Sequence, residues 1–83
     1  MMPLSMASPG IEVKLIAVRG GQRIRKRLGD LGLTPGTVLR VVQVDSWGPL
    51  IVALKDDARL ALGRGMAHKI EVEPLASQAR SIS

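Results

Sequence analysis

The segment QRIRKRLGDLGLTPGT, residues 22–37, decides how the rest of the chain is read. Ile24, Leu28 and Leu31 fall at i, i+4 and i+7, which is one narrow apolar stripe of a helix. At about 100° per residue, Lys26 points almost opposite that stripe, and Arg23, Arg25 and Arg27 flank it. Gly32 stands where a left-handed C-terminal cap belongs, and Pro35 keeps the helix from resuming. Pro35-Gly36 suits the centre of a type II turn, with proline setting φ and glycine taking the positive φ. The stretch therefore predicts a basic helix over Gln22–Leu31, its three apolar residues on the core, then a sharp reversal into a strand.

Strand patterns surround the helix. Glu12 to Arg19 is rich in Val, Leu and Ile and is closed by Gly20-Gly21. Thr37 to Asp45 has mixed parity: Leu39 and Val41 share one face, Val42 and Val44 the other, so a bend or bulge after Val41 is expected. Trp47-Gly48-Pro49 is a loop. Leu50 to Lys55 and Arg59 to Leu62 read as a hairpin around Asp56-Asp57. Gly63 to His68 is a short connecting or helical turn, loosened by Gly63 and Gly65. Lys69 to Glu73 alternates, with Ile70 and Val72 inward. Residues 1–10 read as a loose arm, 11–74 as the domain, and 75–83 as a frayed tail. Short strands need closure or cover to hide their edges. The expected fold is mainly β, a small SH3-like barrel of five short strands with one helix after the first. A flat meander capped by the helix is the alternative.

Composition narrows the function. Of 83 residues, 25 are Ile, Leu or Val, and Trp47 is the one aromatic, so the core is aliphatic and fine-grained. With no cysteine, disulfides, thiolate metal sites and cysteine nucleophiles are excluded. The first ten residues lack the pattern of a signal peptide, and no apolar run approaches the roughly 18–20 residues that span a bilayer. These features point to a cytoplasmic protein. The net charge is +5, and Arg19, Arg23, Arg25, Lys26 and Arg27 place five of the twelve cations within nine residues. Such a cluster suits an acidic protein, nucleic acid or an anionic membrane face; it also suits plain solvation.

No phosphate-loop motif is present, and His68, the sole histidine, has no serine or cysteine arrangement to serve as a base. No catalytic residue and no bound cofactor are expected. His68 and Glu71, at i and i+3, would offer at most a two-ligand surface site for an adventitious divalent ion. Nucleic acid is the rival partner, but single-strand readers stack bases on aromatic side chains. Lipid is less suited still, since the narrow apolar stripe is needed by the barrel. The candidate docking residues are Arg19, Arg23, Lys26 and Arg27, with Trp47 as a loop anchor of hot-spot type. Trp47 also reads as a lid over one end of the barrel, and that reading is preferred to the interface role.

Three pieces in order carry a family resemblance: Arg19-Gly20-Gly21 closing a strand, the basic helix Ile24-Arg25-Lys26-Arg27-Leu28-Gly29-Asp30-Leu31, and Gly32-Leu33-Thr34-Pro35-Gly36-Thr37. With Leu60 to Arg64 and Lys69 to Glu73 downstream, the chain resembles the FeoA family, ferrous iron transport protein A, over roughly residues 11–74. Similar modules form the SH3-like domain of metal-dependent repressors, and a stand-alone relative of that domain is the second reading. The resemblance implies an accessory, non-enzymatic protein of bacterial ferrous iron uptake. Its implied partner is the FeoB permease with its cytoplasmic GTP-binding domain, which would recruit it to the inner face of the membrane. Gly29 inside the helix departs from the family pattern and costs about 1 kcal/mol against alanine.

Overall fold

The computed structural model describes residues 1–45 and 47–75. Six strands form one antiparallel sheet in the order β1-β6-β2-β3-β4-β5. They are β1 (Met2–Pro3), β2 (Glu12–Val18), β3 (Val38–Gln43), β4 (Leu50–Leu54), β5 (Arg59–Leu62) and β6 (Ile70–Pro74). Helix α1 (Gln22–Asp30) joins β2 to β3, and α2 (Arg64–Lys69) joins β5 to β6. Val13, Leu15, Leu39, Val41, Leu50, Val52, Leu62, Ile70 and Val72 all enter a single buried cluster. Among the described residues no helix packs broadly across that face, so the strands cover one another and the sheet curls into a small barrel left open between its edge strands β1 and β5. The mainly β expectation holds.

Two bulges reconcile the sequence with that curl. The β3–β4 register shifts between Val41 and Gln43, as the mixed parity requires, and Val44 then packs on the core. A second shift, between Leu15 and Ala17 on β2, lets Val13, Leu15 and Val18 all face inward although two residues lie between the last two. The turn after α1 forms as read: Thr37 donates its N–H to the Thr34 carbonyl at 3.0 Å, and Gly36 has φ +95°. The β4–β5 hairpin closes on Asp57 at φ +70°, a left-handed position that aspartate tolerates.

Three expectations need correction. Leu31 is not on the core; it is 44% exposed. The helix ends one residue earlier in a Schellman turn, with Gly32 N–H on the Gly29 carbonyl and Leu33 N–H on the Leu28 carbonyl, both at 2.9 Å. The reversal carries Leu33 inward, where it is buried beside Leu28 in the same cluster. Residues 1–10 are not a loose arm. Met2 and Pro3 pair with Val72 and Glu71, and a 3-10 turn at Leu4–Met6 buries Leu4 completely. Pro3 fits because β1 is an edge strand, where a missing N–H costs no ladder bond. The strand count is thus six. The segment after Gly63 is a full helical turn and a half, fixed by Ala67, which is fully buried and donates its N–H to the Gly63 carbonyl at 2.9 Å. Of the expected frayed tail, Leu75 is half-buried and its N–H meets the Glu12 carbonyl at 3.3 Å, while 76–83 lie outside the described residues.

Candidate docking face

Helix α1 begins at Gly21, whose φ of +91° and lack of a side chain leave the first turn without a side-chain cap. The corner before it is tight: a Cβ on Gly20 would lie 2.7 Å from the Ile24 Cδ1 and 3.3 Å from the Lys69 Cδ. Glycine is favoured there by its φ of +103°, while the crowding atoms belong to side chains that can give way. Leu28 anchors the helix to the core, Ile24 packs at its margin, and Arg23, Arg25, Lys26 and Arg27 are exposed.

The charges at the N-terminal end of this helix run against its electrostatics. A helix N-terminus carries partial positive charge and favours acids, and the C-terminus favours cations. Here the first turn holds no acid, Arg23 and Arg25 sit close to the N-terminal end, and Asp30 ends the helix, while Arg27 in the last turn is favourably placed. Among the described residues the ion pairs are Arg19 with Glu71 at 2.9 Å and Arg40 with Glu12 at 3.9 Å. Neither involves α1. Its four cations therefore face solvent without a partner in the described chain.

Arg19 differs from them, because its guanidinium already holds Glu71 and its N–H meets the Lys69 carbonyl at 2.7 Å. Sequence spacing gave no hint of Lys69, which the Gly20 corner brings against the start of α1; the glycine pair was the available signal.

Trp47 is 95% exposed and covers no part of the barrel, so the lid reading fails. Its loop is nonetheless anchored. The Trp47 N–H donates to Asp45 Oδ1 at 3.1 Å, and the Arg64 Nη1 donates to the Asp45 carbonyl at 2.7 Å. Strand register places this loop far from α1. Val38, the first residue of β3, pairs with Lys14 on the way to α1, whereas Gln43 leads away past Gly10 into the Trp47 loop. The strand between them spans about 17 Å at ~3.4 Å per residue. The basic helix and the tryptophan thus stand at opposite ends of the barrel and form no single patch.

His68 and Glu71 do not form the surface clip that their spacing suggested. The helix gives way to a strand at Ile70, the Glu71 carboxylate pairs with Arg19, and His68 Nδ1 lies 3.4 Å from Ser5 Oγ. Among the described residues no three His, Cys, Asp or Glu side chains gather as a metal site, and no helix is long and apolar enough to cross a membrane.

Comparison with known proteins agrees with this architecture. The model of the FeoA domain matches residues 2–74. A Fe(2+) transport protein A of Methanocaldococcus jannaschii is 37% identical over 73 residues, covering 88% of this chain and 87% of the relative. The crystal structure of an iron uptake regulatory protein, FeoA, superposes with TM-score 0.82 at 34% identity, covering 89% of this chain and 97% of the other. A manganese-dependent transcriptional repressor shares the fold alone, with TM-score 0.80 at 21% identity over 88% of this chain and 36% of the repressor. The match to the domain model over nearly the whole chain, together with the 37% identity, makes this protein a member of the FeoA family.

Proposed function

We propose that the protein is a non-enzymatic accessory of ferrous iron uptake that docks through the cationic face of α1 onto an acidic surface of the cytoplasmic GTP-binding region of a FeoB permease. The observation that carries this is a run of four exposed cations on α1, none in an ion pair among the described residues, with Arg23 and Arg25 near the end where the dipole disfavours them. Cations near a helix N-terminus each cost a few tenths of a kcal/mol, and their presence calls for a role outside the fold. The relatives named for Fe(2+) transport and iron uptake regulation give that role its setting. Arg23, Lys26 and Arg27 lie on a rigid helix held by Leu28, which suits electrostatic steering toward an acidic partner. The cytoplasm, at the inner membrane face, is where such a partner would recruit it. The nucleic-acid reading is weaker, because single-strand readers stack successive bases on several aromatic side chains and Trp47 is the one aromatic of the sequence.

A pull-down from membranes with the tagged full-length chain tests the proposal. Recovery of an iron permease bearing a GTP-binding domain supports it. Recovery of nucleic acid in place of the permease would overturn it.

A further inference from the structure

A groove of about 500 Å³ lies on the outer face of the sheet, and among the described residues none of α1 or of the Trp47 loop lines it. Its centre is a cross-strand row. Arg40 on β3 pairs with Ala53 on β4, and Ala53 pairs with Arg59 on β5. Two arginines thus flank one small residue, with their Cα atoms about 9–10 Å apart at two strand spacings. Lys55 adds a third cation, and Val38, Val42 and Ala53 supply a half-buried aliphatic floor. The only ion pair Arg40 makes among the described residues is the 3.9 Å approach to Glu12, and its side chain stays 60% exposed. Arg59 has no ion pair among the described residues.

We propose that this groove binds a compact phosphate-bearing small molecule of nucleotide size, with its phosphates held by Arg40, Lys55 and Arg59 and its apolar body on Val38, Val42 and Ala53. The volume falls within the range of small-molecule sites, roughly 300–1,000 Å³. Arginine forks match phosphate oxygens two at a time, and three cations around one ligand suit a group of more than one negative charge. An extended peptide is a poorer occupant, because peptides gain their affinity by pairing with a sheet edge, and a sheet face offers no free backbone groups. This site is independent of the docking helix.

The test is a titration of the full chain with ADP, followed by backbone amide chemical shifts, with pyrophosphate as control. Saturable shifts centred on β3, β4 and β5 are expected. Arg40→Ser and Arg59→Ser should each weaken binding about tenfold, the usual effect of losing one charged hydrogen-bonding partner. Ala53→Leu, which fills the floor without changing charge, should weaken it as much. Pyrophosphate should bind more weakly than ADP, and a variant with Arg23, Lys26 and Arg27 replaced by serine should bind ADP as wild type does. Shifts centred on α1, no saturation at millimolar ADP, or pyrophosphate binding as tightly as ADP would each overturn the proposal. The wild-type shift map stands even if a variant folds poorly.

Discussion

Leu28, Leu31 and Leu33 carry the same side chain and have two different fates, and the turn between them is the reason. Leu28 and Leu33 are each 1% exposed, whereas Leu31 caps the helix at 44%. Leu28→Ala and Leu33→Ala should each destabilise by about 2–4 kcal/mol, as deletions of a buried leucine do. Leu31→Ala should cost under about 1 kcal/mol. Chemical denaturation of the three variants checks the order, and an equal loss at Leu31 would restore it to the core. The stripe was legible in the sequence, but its last member was not. Periodicity extrapolates a helix through its own cap, and only the bonds of Leu33 and Gly32 show that the chain has already reversed. Gly29 is a simpler case. A Cβ there meets only the Thr34 Cγ2 at 3.8 Å, an ordinary contact. Gly29→Ala should therefore raise stability by about 0.5–1 kcal/mol, visible as a higher melting temperature.

At the scale of elements, α1 sets stability against use. Arg23→Glu places an acid in the first turn and should stabilise the fold by about 0.3–1 kcal/mol, while weakening attachment to an acidic partner. A variant that melts higher and binds less well would show that the arginine serves the partner and not the helix; a lower melting temperature would contradict the dipole argument. The strands were legible wherever alternation was strong, as in β6, and the bulge in β3 followed from its mixed parity. Strand β1 was hidden because two residues carry no period and proline argues against a strand unless its edge position is known. The second bulge, in β2, was equally hidden, since one extra residue among Leu, Ile, Ala and Val leaves no polar marker. The basic character of the docking candidate could be read directly from residues 19–27. That Trp47 stands apart from it could not, because separation depends on strand register.

The whole molecule is a small curled sheet with a cationic helix at one end and an anchored, solvent-facing tryptophan at the other. With no cluster of three potential ligands among the described residues, calorimetric titration with Fe²⁺ should show no tight stoichiometric site, and chelation should leave the melting curve unchanged. A single saturable micromolar site would contradict this. Trp47→Ser should barely alter stability, since its ring buries almost nothing. The central claim, that α1 docks on an acidic permease surface, is tested most directly by affinity at two salt concentrations. Wild-type protein and the Arg23→Ser, Lys26→Ser, Arg27→Ser triple variant would each be titrated against the permease's cytoplasmic region. Exposed charges act through a field that salt screens over about 10 Å at 0.1 M. The wild type should bind tightly at low salt and lose affinity as salt rises, whereas the variant should bind weakly at both with little salt dependence and an unchanged melting temperature. Equal affinity of the two proteins at low salt would show that the cations of α1 are only a solvated face.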